Sequence, residues 1–386
     1  MTLVDRRTKT AGFLRHQFLF VTGRLRRSSD RKDGADADQH LDFLDVGQRR
    51  AGQPGTLQKS PQAEADSFTS LPLPTGDARF VERPSARAAL EQGFAAWRDG
   101  RPTLMAVTGP RGCGLTTLLN QAPAWAPPGA SISPMTLSMR PATTADALSL
   151  AAAAFGSAIT HDSIDAAANE INEMPARMIL VDNGHFLYSR LMGGGEGIRA
   201  LQALMVATQG RHLWLLACET QAWRRQCDTS QTDRYFDEIV ELPYFERDDF
   251  ATFLAARNAG LTDSEIDALL KVSRGHPALA LFIVARKRSG EIQGIPTPFD
   301  ESPLRRLART ELLAMAEMSA HGALTATELQ SIFRRDAQSI GILLHHLRQS
   351  GLILSASRTE QDDDNRLQPL LVPEINAYLV RANYLY

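Results

Sequence analysis

The chain has 386 residues, 43% hydrophobic and 22% charged, with a formal net charge of −2. That length fits roughly two or three domains, and the composition excludes both wholesale disorder and a chain-wide polycationic coat for nucleic acid. Three cysteines, Cys113, Cys218 and Cys227, are too few for a disulfide framework or a four-cysteine zinc site, so a reducing, cytoplasmic setting is expected.

Residues 1–75 have no sustained helical or strand period. Two readings stand for them. One is a disordered tail. The other is a peripheral membrane or partner-binding helix, using Phe13, Leu14, Phe18, Leu19 and Phe20 with flanking arginines. The apolar stretch at 13–21 is interrupted by Arg15, His16 and Gln17, and it reads neither as a span nor as a signal peptide.

Order is expected from Phe80. Residues 85–97 read as a helix with Ser85 as N-cap. Residues 104–108 form a short apolar run, followed by a glycine-rich turn and a helix from Thr116. Helices are expected at 145–158 and 165–174, and further apolar runs at 178–181, ending in Asp182, and at 212–217. Short buried strands separated by helices predict a parallel α/β sheet. From Glu246 the strand pattern stops. Helices are expected at 248–258, at 263–273 with Asp263 as cap, and at 277–288. A Gly/Pro linker follows, then helices at 304–319, 325–333 and 336–349. A hairpin is expected from strands at 352–354 and 367–372, with an acidic tip at Asp362, Asp363 and Asp364. Three helices and a two-stranded wing suggest a winged helix. The expected organisation is thus 1–75 tail, 76–245 sheet domain, 246–295 helical lid and 303–386 winged helix.

The most informative segment is Gly109-Pro110-Arg111-Gly112-Cys113-Gly114-Leu115-Thr116-Thr117. It follows a strand and opens a helix, the context of a phosphate-binding P-loop. Glycines permit positive φ and let backbone N–H groups approach phosphate, and the helix N-terminus adds favourable potential. Gly109, Arg111, Gly112, Cys113, Gly114, Leu115, Thr116 and Thr117 are the candidate binding residues. The template is G-x-x-x-x-G-K-[ST], and one element departs from it: Leu115 stands at the lysine. No lysine occurs between Lys59 and Lys271. The lysine ammonium normally bridges the β- and γ-phosphates, which leucine cannot do.

Asp182 ends an apolar strand, where it would hold Mg²⁺ together with the Thr116 hydroxyl. Asn183 follows, where many ATPases carry a carboxylate base. Asparagine orients a water but does not accept its proton. Asp182 and Asn183 are the residues at the catalytic position. Thr220 is the candidate γ-phosphate contact after the next strand, or else a turn residue. Arg224 and Arg225 read as a solvated basic face or as an arginine finger in an oligomer. Cys113, at a helix N-terminus, reads as a redox-sensitive thiol or as a small residue that fits the loop. His345 and His346 read as surface residues, and the histidine spacing assigns no metal site.

These residues resemble the STAND and AAA+ branch of P-loop NTPases, especially its archaeal-Orc-like and transposition-helper members, over about residues 78–386. The resemblance is carried in order by Phe80-Val81-Glu82-Arg83, the loop at 109–119, Ile179-Leu180-Val181-Asp182-Asn183, Glu241-Leu242-Pro243, Gly275-His276-Pro277 and Gln368-Pro369-Leu370-Leu371 with Tyr378-Leu379. A fainter similarity, carried by Leu187-Tyr188-Ser189-Arg190 and the ending Arg381-Ala382-Asn383-Tyr384-Leu385-Tyr386, is to bacterial ATP-binding proteins associated with membrane proteins such as mechanosensitive channels.

The resemblance implies an α/β P-loop NTPase sheet with a helical lid and a C-terminal winged-helix domain in a cytoplasmic bacterial protein. It implies ATP or ADP with Mg²⁺ as cofactor, and His276 or the Pro277 backbone sensing adenine or the β-phosphate. The two departures, Leu115 and Asn183, point to a nucleotide-gated or pseudo-ATPase assembly switch working with a protein partner or as a homo-oligomer. Two alternatives stay open. One is a slow ATPase with an arginine replacing the lysine in space. The other is a DNA-binding regulator using Arg334, Arg335, His345 and Arg348.

Overall fold

The computed structural model describes residues 71–159, 162–190, 195–296, 298–357 and 363–385. The expectations for residues 1–70 and for Asp362 lie outside the described residues.

The first elements are α1 (Pro84–Arg98), β1 (Leu104–Gly109), α2 (Leu115–Trp125), β2 (Ser131–Thr136), α3 (Thr144–Phe155), α4 (Ile164–Asn172) and β3 (Arg177–Asp182). Then come α5 (Glu196–Thr208), β4 (Leu213–Glu219), α6 (Thr220–Ser230) and β5 (Glu238–Glu241). The five strands form one parallel sheet in the order β2-β3-β4-β1-β5, the α/β class expected. Side chains alternate across it, because successive strand residues point to opposite faces. Leu104, Ala106, Ile179, Val181, Trp214 and Leu216 join the cluster under α3, α4 and α5. Met105, Val107, Met178, Leu180, Leu213 and Leu215 join the cluster under α1 and α2. Burial on both faces is why β1, β3 and β4 read as continuous apolar runs.

Both edge strands escaped the sequence reading. In β2 only Ser133 and Met135 are buried, and Pro134 is tolerated because the strand is an edge. In β5 only Val240 is buried. Helix α1 begins at Pro84 with Arg83 in the capping position, not at Ser85. Proline's fixed φ and missing N–H suit the first helical position.

The segment expected as a lid forms α7 (Arg247–Ala255), α8 (Asp263–Ser273) and α9 (Pro277–Arg288) around a cluster of Phe250, Leu254, Leu269, Ile283 and Val284. The cap of α8 is Thr262, not Asp263. Its hydroxyl accepts the Glu265 N–H while the Glu265 carboxylate accepts the Thr262 N–H, a reciprocal capping box.

The segment expected as a C-terminal domain contains α10 (Ser302–Arg305), α11 (Arg309–His321), α12 (Ala326–Phe333), α13 (Ala337–Gln349), β6 (Ile353–Ser357), β7 (Asp363–Leu367) and α14 (Val372–Arg381). The expected helix at 304–319 is two helices, because Glu311 turns back to accept the Ala308 N–H and starts α11 afresh. The antiparallel partner of β6 is 363–367, not 367–372. Buried Asn365 fixes that register: its backbone pairs both ways with Leu324, and its amide donates to Leu324 O at 3.1 Å. Pro369 and Pro373 then end the ladder and open a helical turn and α14. Asp363 and Asp364 consequently lie in a strand. Helix α11 is buried along almost its whole length and packs on α6 of the sheet domain. Among the described residues no helix is long and apolar enough to cross a membrane.

Candidate functional site

The turn between β1 and α2 holds Gly112 and Gly114 at positive φ, the backbone geometry expected of a phosphate loop. Gly114 caps α2 with φ +106°, a left-handed conformation that only glycine adopts without strain. A cavity of about 230 Å³ opens from Gly112, Gly114 and Thr116 toward Asp182. The residues expected to hold a magnesium ion are brought together: Thr116 Oγ1 donates to Asp182 Oδ2 at 2.9 Å. The N-terminal amides of α2 and this pair are the donor set that a phosphate–magnesium group needs.

Leu115 is half-buried and packs on the apolar cluster beneath α1 and α2. The lysine's place is therefore filled by hydrocarbon. Arg111 does not replace the missing charge in the cavity. Its Nε donates to Glu219 Oε1 at 2.9 Å and its Nη1 to Gly322 O at 3.1 Å. The arginines that do line the cavity are Arg79, Arg83 and Arg257. Arg79 pairs with Asp77 at 2.7 Å. Arg83 donates to Pro243 O and stacks 4.5 Å above the Phe245 ring. Arg257 donates to Arg79 O at 3.0 Å and stacks on Phe253. Burial lowers the pKa of Arg83 and Arg257, the latter to about 10, which leaves Arg257 charged at neutral pH. All three belong to the segment before α1 or to the lid.

Asn183 has φ +60°, which asparagine tolerates better than most residues. Its N–H donates to Asp182 Oδ1 at 2.8 Å, and its amide donates to Leu137 O at 3.0 Å. The side chain thus ties the end of β3 to the chain leaving β2. Thr220 begins α6, and the cavity wall at this strand end is Glu219. Glu219 was missed, although an acid closing a buried strand is the same signal that singled out Asp182. His185 also lines the cavity; burial lowers its pKa.

Cys113 is 3% exposed, and burial pushes its thiol up to about 12. Of the two readings of this residue, burial favours a small side chain that fits the loop, because desolvation disfavours the thiolate. Thr117 is engaged by an unexpected neighbour. Its hydroxyl accepts the Leu73 N–H at 3.2 Å, while Asn120 and Gln121 donate to Leu73 O at 2.9 Å and Pro74 O at 2.7 Å. Leu71, Pro72 and Leu73 form one wall of the cavity, so residues 71–75 pack on the sheet domain rather than belonging to the tail. Asn120→Ala leaves the Leu73 carbonyl without its donor. It should cost about 1 kcal/mol of stability, read as a lower denaturant midpoint with unchanged slope.

The lid reaches the loop through His276. Its Nδ1 accepts the Leu279 N–H at 3.2 Å, which assigns the proton to Nε2. A Cβ on Gly112 would lie 2.6 Å from that Nε2. The ring stacks near Tyr244, whose hydroxyl donates to Arg111 O at 2.8 Å. His276 therefore braces the loop, while Pro277 lines the cavity. Burial lowers His276 to about 4, and burial in α11 lowers His321 to about 3, from an ordinary 6.5. Unfolded histidines take up protons near 6.5 while these stay neutral when folded. The stability they contribute is full above 6.5 and falls as pH drops toward the folded values, by about 1.4 kcal/mol per pH unit for each histidine. Calorimetric melting between about pH 7 and pH 5 should show this decline. His276→Asn, which preserves a capping side chain, should remove about half of the decline and leave the share of His321.

On the C-terminal domain Arg334, Arg335, His345 and His346 are exposed. Exposed Arg348 donates to Asn365 Oδ1 at 2.6 Å, and His346 contacts Glu311. Arg225 donates to Tyr384 O at 3.4 Å, which turns it toward the C-terminal domain.

No protein-family model matches the sequence, and no curated protein matches it. Among solved structures, the chain is similar to the ORC2 protein of Aeropyrum pernix with bound ADPNP and ADP. The identity is 16% and the TM-score 0.44, over 82% of this chain and 98% of that one. It is similar to the Walker-type ATPase PABY2304 of Pyrococcus abyssi at 12% identity and TM-score 0.44, over 80% and 99%. It is also similar to the RuvB Holliday junction branch migration motor of Thermotoga maritima at 16% identity and TM-score 0.39, over 80% and 99%. These are distant likenesses, and the chemistry of this chain has to be read from its own residues.

Proposed function

We propose that this chain is a nucleotide-binding P-loop protein of STAND/AAA+ type. It binds ATP or ADP with Mg²⁺ and works as an assembly switch or scaffold rather than as an efficient ATPase. The observation that carries this reading is the Thr116–Asp182 pair under a loop with positive-φ glycines, with the hydrocarbon side chain of Leu115 lining the same cavity. The anion and metal ligands are kept, and the catalytic cation is absent. Thr116 and Asp182 would hold the ion, which supplies charge neutralisation to the phosphates when bound. The loop amides would hold the phosphates, and Pro277 with the lid would close the base end.

The reading of a slow ATPase with a substitute arginine draws less support. Arg111 is engaged by Glu219 and Gly322, and the cavity arginines are engaged at the lid end. Asn183 spends its amide on Leu137. The test is equilibrium binding of ATP and ADP, with and without Mg²⁺, alongside phosphate release. Saturable binding with release at background supports the switch. Release well above background in the chain alone would establish the ATPase instead, and no binding at millimolar nucleotide would remove the nucleotide reading. Asp182→Asn should reduce ATP affinity in Mg²⁺ to the metal-free level, because it removes the charge that holds the ion.

The C-terminal domain we take as a winged helix that contacts protein, a partner or a second copy. Ile342 on α13 is 65% exposed, and Asp363 on β7 would repel a phosphate backbone. Duplex binding that weakens steeply with salt, and is lost in Arg334→Ala/Arg335→Ala, would instead establish the DNA reading.

A further inference from the structure

Arg111 belongs to the phosphate loop, yet its guanidinium leaves the cavity. It bridges Glu219, which lines the cavity, and the carbonyl of Gly322, which ends α11 in the C-terminal domain. Gly322 also packs against His185 of the cavity wall.

The same helix end is gripped twice more. Arg140, from the chain after β2, donates to His321 O at 2.9 Å and Ala323 O at 3.4 Å, and pairs with Glu328 at 3.5 Å. Arg190, from the chain after β3, pairs with buried Glu317 at 2.5 Å, and its N–H donates to His321 Nε2 at 3.2 Å. Three arginines from three loops of the sheet domain thus converge on the C-terminus of one helix. Unsatisfied carbonyls and the helix dipole concentrate negative potential there. Arg140 and Arg190 stand outside the cavity; Arg111 alone of the three is also part of the phosphate loop.

We propose that Arg111 couples occupancy of the nucleotide site to the hold on the C-terminal domain. The inference rests on the nucleotide reading above and adds the residue through which that site is regulated. A phosphate in the loop competes with Glu219 for the guanidinium. A magnesium ion at Thr116 and Asp182 competes with Arg111 for the Glu219 carboxylate. Either exchange withdraws the bond to Gly322 O and removes one of three cationic contacts on the helix end. Arg140 and Arg190 keep their partners, so the domain loosens rather than detaches. Coupling of this kind is reciprocal. Weakening the grip from outside the cavity strengthens nucleotide binding.

The experiment uses the full chain. Hydrogen exchange is followed in peptides covering 185–190 and 317–324, which meet across the interface, with and without Mg-ATP. Binding is measured in parallel. In the wild type, Mg-ATP should speed exchange in both peptides roughly tenfold. Arg111→Gln should exchange at the fast rate without nucleotide and gain nothing from it. Arg140→Gln should bind ATP about fivefold more tightly, and that gain should vanish in Arg111→Gln/Arg140→Gln. Bound ATP with unchanged exchange overturns the coupling alone, as does wild-type protection in Arg111→Gln. Absence of nucleotide binding in the wild type overturns the site reading and the coupling with it.

Discussion

Gly114→Asp should weaken ATP and ADP binding at least about 100-fold, about 2.7 kcal/mol, while the protein stays folded. Two effects add. Gly114 has φ +106°, which a residue with a Cβ holds only under strain of about 1–3 kcal/mol. A Cβ there meets nothing within 4 Å, so the core is not disturbed and the strain stays local to the loop. The carboxylate then stands at the helix N-terminus, where the amides are arranged for an anionic ligand, and it competes with phosphate for them. Titration calorimetry reads the affinity and a thermal melt reads the fold. Wild-type affinity in this variant would mean that nucleotide does not use the loop.

Leu115→Lys should tighten triphosphate binding by roughly 10- to 100-fold, since a charge-assisted hydrogen bond contributes about 1.5–3 kcal/mol. The gain should be larger for ATP than for AMP, because the restored ammonium meets the outer phosphates. The substitution removes a half-buried leucine from the cluster beneath α1 and α2, a loss of about 1 kcal/mol that the lysine stem partly recovers. Phosphate release should stay near background, because Asn183 accepts no proton and is tied to Leu137. If Leu115→Lys alone produced brisk hydrolysis, the missing lysine would be the sole defect and Asn183 would be irrelevant. If it produced no change in affinity, the phosphates would lie elsewhere than the loop template places them.

The residues behind both predictions were legible in the sequence, because the pattern of a phosphate loop is local. Its glycines, its hydroxyl and the lysine's absence lie within nine consecutive residues. The Thr116–Asp182 contact joins residues 66 positions apart, yet it too was legible, since each carries its own local signal. The cap of α8 was legible to within a residue, with Thr262 taking the place of Asp263, and that of α1 to within two, with Arg83 in place of Ser85.

What the sequence by itself determined was set by short-range chemistry: the apolar runs that become buried strands, the amphipathic helices, and the loop with its missing charge. What only the tertiary structure decided depends on who meets whom. The edge strands β2 and β5 carry too few buried side chains to announce themselves. The second hairpin strand follows from where Leu324 meets Asn365, a pairing with no local mark. Cys113 reads in sequence either as a redox-sensitive thiol or as a small residue that fits the loop, and its burial, which pushes the thiol up to about 12, favours the second. Arg111 reads as a phosphate ligand from its place in the loop. Its actual partners, Glu219 and Gly322, lie 108 and 211 residues away. A side chain's environment is a sum over neighbours contributed by the fold, so spacing along the chain gives the chemistry available and packing decides which of it is used.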